Sequence, residues 1–323
     1  MNHRFIKAAA KAWCPPIMWK GLQGLRARSR RQRTESQKRV VTTLEELDRE
    51  IAEAEKAAAT SFDAFWDHLH QFRYEANITF HSDPASDAYR DAQHQLYLHL
   101  TGKTSYACAT DEMTPFDYDA ALVSPYPYCT HSTKTVGDQL IAIGYLIRTM
   151  NLKRGGSILE IGPGWGKATL EFSQSGYAVT AVDINPQFLK LIATLCERNG
   201  HPVTTVFSDM LEYRPAETFD RVVFYESFHH CPDHRRMIGQ LSSLVATGGS
   251  AIFAGEPIDD YFSIPWGIRL DGMSAWAIRK FGWYELGFRT DYFLDVLAEY
   301  GWATTIHGSQ DAKWQRVFVA KRR

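Results

Sequence analysis

Apolar residues recur at positions 40, 44, 47, 51, 54 and 58, in alternating steps of four and three. Glu45, Glu46, Arg49, Glu50 and Glu53 sit between them. This spacing predicts an amphipathic helix over about residues 43–59 with one apolar stripe. The stripe is shorter than three heptads, so it suits docking onto the body better than a coiled coil, although a homodimer stays open. FDAFWDHLHQFRYEANITF (62–80) reads as a second apolar-faced helix, and DAYRDAQHQLYLHLTG (87–102) as a third, closed by Gly102. Pro125 and Pro127 then force an extended loop, and a further helix is expected from about Thr135 to Met150.

From residue 156 the period switches repeatedly. SILEIG, YAVTAVD, HPVTTVFSD, FDRVVFYES and GSAIFAGEP read as strands. Between them KATLEFSQSG, PQFLKLIATLCERNG and PDHRRMIGQLSSLVATGG read as helices, the last ended by Gly248 and Gly249. TDYFLDVLAEYG is one more helix, and WATTIH and WQRVFVAK form a closing hairpin. This alternation predicts an α/β, doubly wound, mostly parallel sheet with one strand reversed by the hairpin. The chain divides into a basic tail (1–40), a helical N-terminal region with a lid (41–150) and a Rossmann-like domain (151–323). Residues 257–288, with Trp266, Trp276, Trp283 and Tyr284, form an aromatic-rich insertion over the sheet.

Charge changes this picture only at the N-terminus. Residues 1–39 hold eleven Lys/Arg against one acid, Glu35, whereas the whole chain carries −1. The body is therefore mildly acidic, which argues against nucleic acid as a partner. The head is either a basic amphipathic segment for peripheral contact with an anionic membrane surface or a solvated tail. Five scattered cysteines without zinc-type pairing fit a reduced, cytoplasmic interior, with the inner membrane surface as the peripheral option.

The chemistry concentrates in LEIGPGWGKATL. A phosphate-binding P-loop needs Lys-Ser/Thr after its last glycine, and Lys167-Ala168 stands there. A dinucleotide loop reads G-x-G-x-x-G, but here Gly162, Gly164 and Gly166 are spaced G-x-G-x-G. Pro163 removes a backbone donor, and Glu160 would repel a pyrophosphate. Asp183 ends the second strand roughly 20 residues after Gly162, where a carboxylate accepts both hydroxyls of a ribose. Ile184 follows it. Asp209 ends the third strand and can accept from an adenine amino group while Met210 packs on the ring. One acid per strand end suits an adenosine with a cationic amino-acid arm and no phosphates, which is S-adenosylmethionine.

With these motifs, residues 156–255 resemble the class I S-adenosylmethionine-dependent methyltransferases. The resemblance implies a seven-stranded Rossmann-like sheet with its last strand antiparallel, carrying an N-terminal helical extension. It also implies S-adenosyl-L-methionine as cofactor, held by Glu160–Gly166, Asp183-Ile184 and Asp209-Met210. The N-terminal region is similar to that of methyltransferases in bacterial polysaccharide clusters, which implies a glycan or small-molecule acceptor. The segment Tyr126–Thr135 is similar to the tyrosine-rich stretch before the cofactor loop of cyclopropane-fatty-acid synthases, which places Tyr126 and Thr135 with the cofactor.

Methyl transfer to a hydroxyl needs alignment and a base, and imidazole is suited to that at cellular pH. Glu226, His229 and His230 at the fourth strand end are the candidates, with His131 of the loop and Glu256 behind them. A zinc set drawn from His229, His230, Cys231 and His234 lacks a completing cluster, so no metal is expected. The competing readings are a lipid-directed or cyclopropane-synthase-like enzyme, an NAD-dependent dehydrogenase, and a non-catalytic cofactor-binding scaffold.

Overall fold

A computed structural model describes residues 38–123, 133–309 and 315–323. Residues 1–37 of the basic head lie outside the described residues. The strands are β1 (Arg39–Val41), β2 (Phe72–Tyr74), β3 (Ser157–Ile161), β4 (Ala178–Asp183), β5 (Thr204–Phe207) and β6 (Phe219–Tyr225). They continue as β7 (Val245–Ala254), β8 (Ile258–Asp259), β9 (Trp266–Ile268), β10 (Leu286–Arg289), β11 (Trp302–Gly308) and β12 (Arg316–Arg322).

Seven of these make the main sheet, in the order β11-β12-β7-β6-β3-β4-β5. All neighbours from β7 to β5 pair parallel, and β12 runs antiparallel to both β7 and β11. The doubly wound sheet with its last strand reversed is thus as the alternation predicts. Strand order reverses between β3 and β6, so the ends of these strands open onto the crevice where such sheets bind ligands. In β3, Ile158 to Ile161 are all buried, as expected of a strand covered on both faces.

Local chemistry sets the helix ends. Thr43 caps helix Leu44–Ala57 in a capping box with Glu46, and Leu47, Ile51 and Ala54 form its buried stripe. Asn185 caps Pro186–Arg198, where proline in the first turn costs no hydrogen bond. The helix expected at the end of the pre-loop segment runs Thr133–Met150.

Two sequence expectations need correction. The helix predicted over 62–80 ends at Leu69. Phe72 and Tyr74 are buried with Arg73 between them, a period of two, and β2 pairs parallel with β1. The helix ending in Gly248-Gly249 stops at Leu244, and β7 begins at Val245. Gly248 takes φ +77° inside that strand, where the register against β6 shifts.

The insertion is more than a cover. It folds into a three-stranded sheet, order β8-β10-β9, with helix Gly272–Phe281. It then shares a core with the N-terminal helices. Tyr89 donates to the carbonyl of Trp266 at 2.7 Å, Trp266 Nε1 donates to Pro84 O at 2.8 Å, and Ile268 N donates to Gln93 Oε1 at 2.9 Å. Arg279 pairs with Asp48 at 2.6 Å. Two stretches far apart in sequence therefore build one lobe above the strand ends. No described helix is long and apolar enough to cross a membrane.

Candidate functional site

The glycine loop leaves β3 as expected. Gly162, Gly164 and Gly166 all have positive φ (+67°, +52° and +74°), a region that costs other residues energy. The three differ in surroundings. A Cβ at Gly162 would lie 2.8 Å from Ser227 Cβ, and one at Gly166 would lie 2.2 Å from Ile192 Cγ1, whereas one at Gly164 meets nothing within 4 Å. Gly164 is thus the glycine facing open space, and Gly162 touches the turn after β6.

The acids follow one per strand. Glu160 is buried in β3 and accepts from Thr169 Oγ1 at 2.6 Å, and burial pushes its pKa up to about 7. Asp183 at the end of β4 accepts from Gly164 N at 3.1 Å and from Asn185 N at 2.7 Å. Burial raises its pKa to about 6, with those N–H groups offsetting part of the rise. Asp183 therefore fixes the glycine loop and faces the same crevice. Ile184 and Met210 are half-buried, and Asp209 accepts from Leu211 N at 2.7 Å. The segment before residue 123 closes over this side. Phe116 lies 4.6 Å from Trp165 and 4.9 Å from Phe188 between ring centroids, and Asn185 Nδ2 donates to Thr114 O at 3.2 Å.

The turn after β6 is organised by one buried carboxylate from the end of β7. Glu256 Oε1 accepts from the backbone N of Ser227 and Phe228, both at 2.8 Å, and Oε2 from the N of His229 at 3.1 Å. The same Oε2 lies 2.8 Å from His229 Nδ1. Ser227 Oγ donates to Ile161 O at 2.6 Å, tying this turn to β3. Glu226 holds the left-handed backbone at φ +52°, which stores strain of about 1–3 kcal/mol at this position. Burial raises Glu226 to about 7.

The two histidine rings lie tilted at 38° with centroids 4.2 Å apart, yet their environments drive them in opposite directions. Burial alone would lower His229, but the Glu256 carboxylate overrides it and the net shift is upward. Burial and the adjacent His229 push His230 well below the usual imidazole range. His230 Nδ1 donates to the carbonyl of Tyr284 at 3.0 Å.

The second lobe supplies what sequence reasoning missed. Glu285 Oε2 lies 3.8 Å from His229 Nε2, and Arg269 Nη1 lies 3.6 Å from the same oxygen. Glu112 Oε2 lies 3.4 Å from His230 Nδ1. Burial raises both acids. Neither sits in a motif; the aromatic run around Tyr284 was the nearest signal for Glu285, and nothing in Asp111-Glu112-Met113 points to Glu112.

Of the predicted site residues, the structure brings the Gly162–Gly166 loop together with Asp183 and with the Glu226–His230 turn at the strand ends, while Glu160 is buried beneath the loop on Thr169. Thr135 lies in the first turn of its helix, and Tyr126 and His131 lie outside the described residues. His234 does not join the other histidines. Its Nε2 meets Tyr292 Oη at 2.9 Å, its ring packs on Trp266, and burial lowers it to about 3. Among the described residues, His229, His230 and Glu285 bring one donor atom each within 4.8 Å of one another.

Residues 158–249 match the family described as a methyltransferase domain. The ubiquinone biosynthesis O-methyltransferase of Paramagnetospirillum magneticum is 28% identical over 105 residues, 32% of this chain and 41% of that protein. Its namesake from Xylella fastidiosa is 26% identical over 112 residues, 34% of this chain and 45% of that protein. The chain thus spans less than half the length of the curated relatives it matches. The solved structure of the N-methyltransferase NodS from Bradyrhizobium japonicum with S-adenosyl-L-homocysteine is 17% identical, covering 64% of this chain and 96% of its own at a TM-score of 0.45. Residues 158–249 are thus similar to a methyltransferase domain.

Proposed function

We propose that this chain is an S-adenosylmethionine-dependent O-methyltransferase acting on a hydroxyl of a glycan or sugar-containing acceptor. The observation that carries the reading is the contact of Gly162 with Ser227, which sets the cofactor loop directly against the His229–Glu256 pair. In this reading Asp183 accepts from the ribose, Asp209 accepts from the adenine, and the cofactor approaches the open face at Gly164. In the reaction the acceptor oxygen attacks the methyl carbon, the carbon–sulfur bond breaks, and S-adenosylhomocysteine leaves. The acceptor proton passes to His229 Nε2, while Glu256 holds Nδ1–H and stabilises the imidazolium that forms.

Trp283, perpendicular to His230 with 5.7 Å between ring centroids, supports a flat-faced acceptor such as a sugar ring. A lipophilic ring hydroxyl is the second reading, favoured by the relatives named for ubiquinone biosynthesis. Calorimetric titration with S-adenosylmethionine, for wild type and Asp183→Ala, tests the cofactor assignment. Binding to wild type that the substitution abolishes supports it, and an acceptor screen with glycans before quinols then separates the two readings. Absence of binding to wild type would overturn it.

A further inference from the structure

Glu112 lies outside the methyltransferase domain, in the turn that follows the short helix Cys108–Asp111. Its side chain is only 8% exposed, and every described contact runs between the second lobe and the histidine turn. Oε1 accepts from Tyr106 Oη at 3.1 Å and from Tyr284 N at 2.7 Å. Oε2 faces His230 Nδ1 at 3.4 Å. Tyr284 therefore uses its N–H on Glu112 and its carbonyl on His230, closing a three-membered ring of contacts around one peptide.

We infer that Glu112 is a positioning residue of the acceptor site, holding His230 with the proton on Nδ1 and the lone pair on Nε2. The argument is one of donors and acceptors. A peptide carbonyl only accepts, so Nδ1 carries the hydrogen at the 3.0 Å contact with Tyr284. Glu112 Oε2, at 3.4 Å from the same nitrogen, is the second acceptor beside that N–H. Oε1 is committed to two donors, so Oε2 of the ionised carboxylate is the oxygen left to accept beside the Nδ1–H. The outcome is a pair of adjacent, tilted imidazoles, both held at Nδ1. His229 is held by Glu256 from the sheet and His230 by Glu112 from the second lobe. His230 is left with Nε2 for the acceptor, and His229 Nε2 faces the same side with Glu285 Oε2 3.8 Å away. The segment before the glycine loop thus contributes to acceptor recognition as well as to covering the cofactor. This inference rests on the methyl-transfer reading for its purpose, but not for its test.

The decisive variant is Glu112→Gln. Tyr106 Oη and Tyr284 N both need an acceptor, so the carboxamide oxygen takes the Oε1 place and its NH₂ is turned toward Nδ1, donor against donor. Long-range proton–nitrogen correlation spectra of the full chain labelled at histidine nitrogens read the tautomer directly, with His230 assigned by its loss in His230→Gln. Wild type is expected to show His230 protonated at Nδ1. Glu112→Gln should move at least half of the His230 population to the Nε2-protonated form while leaving the His229 signals in place. Glu112→Asp, one methylene shorter, keeps the acid but loses its reach and should give a mixture. A His230 tautomer identical to wild type in whichever of the two variants folds overturns the inference, because a merely structural glutamate would change stability alone. S-adenosylmethionine titration of the same samples keeps the two questions apart: unbound cofactor sinks the methyl-transfer reading, and an unmoved tautomer sinks this one.

Discussion

Glu256 Oε2 lies 2.8 Å from His229 Nδ1, and the same carboxylate collects the backbone N–H groups of Ser227, Phe228 and His229. One acid at the end of β7 thereby shapes the turn after β6 and sets the tautomer of its histidine. The orienting group and the group it orients come from adjacent parallel strands, so the sheet itself fixes their separation.

Glu256→Gln should therefore separate chemistry from folding. The amide retains one acceptor oxygen for the turn but removes the charge that supports a protonated His229. Loss of general-base efficiency of this kind costs about 10²–10⁴-fold in kcat, with KM for the cofactor changed little. Glu256→Ala also strands three backbone donors and is expected to cost about 3–5 kcal/mol of stability. Steady-state rates and denaturant melts of the two variants check this. A Gln variant with wild-type kcat would remove His229 from the base role.

The rise in the His229 pKa gives the rate a direction with pH. As a base the imidazole must enter neutral, so kcat/KM should climb through a midpoint above the ordinary histidine value of about 6.5. Its contribution to stability has the opposite sign. A group whose folded pKa is raised stabilises below its unfolded pKa, and that contribution is lost as pH rises through the folded value. The rate profile and the melting temperature should accordingly diverge across this window. Removing the dominant raising partner in Glu256→Gln should bring the rate midpoint down.

Much of the sheet and of the glycine loop at its strand ends was legible because its signals are local. Strand–helix alternation, three glycines at a strand end and acids at successive strand ends all lie within a few residues of what they build. The surroundings of the two histidines were not legible. Glu112 and Glu285 reach the histidines only because Tyr89 binds Trp266 and Gln93 binds Ile268, partners far apart in the chain that leave no periodic trace. β2 was hidden similarly: its three residues are strand because Tyr74 N finds Leu270 O at 2.8 Å, so a helical propensity upstream runs over into a tertiary decision. Gly248 and Gly249 read as a helix stop, although the first of them marks an irregularity inside β7.

The loop glycines offer a test that distinguishes binding from folding within five residues. At Gly166 an alanine Cβ would lie 2.2 Å from Ile192 Cγ1, so Gly166→Ala should disrupt the loop and lower stability by several kcal/mol, about 1–3 from overpacking plus about 1–2 from the left-handed backbone. At Gly164 nothing lies within 4 Å, and only the backbone cost of about 1–2 kcal/mol applies. Gly164→Ala should still fold, yet lose S-adenosylmethionine affinity by at least about 10-fold, or roughly 1.4 kcal/mol, because its methyl fills the face the ligand needs. Equal affinity in a folded Gly164→Ala would mean that the open face is solvent and the cofactor lies elsewhere.

Asp183 and Glu160 make the ligand-free protein and the loaded protein respond to pH in opposite ways. Burial lifts Asp183 to about 6 and Glu160 to about 7 in the free chain, well above unfolded carboxylates. The contribution of both is complete below the unfolded value of about 4 and is lost as pH rises through those folded values. Lowering the pH from 8 towards 5.5 should therefore increase the stability these two carboxyls contribute, against the opposite contribution of the depressed His230 and His234, so Asp183→Asn and Glu160→Gln should each flatten the rising component of the melting temperature. The ribose hydroxyls, in contrast, need an ionised Asp183 to accept them. Cofactor affinity should hold above about pH 6 and decline below it, approaching about 10-fold per unit well below the midpoint. The gain in melting temperature on adding S-adenosylmethionine should shrink over the same interval. Asp183→Asn, which cannot ionise, should bind weakly with no such decline. Thermal shift and calorimetry at half-unit steps from pH 5.5 to 8 read both trends. A wild-type affinity that is flat across that range would show that Asp183 shapes the glycine loop without touching the ribose.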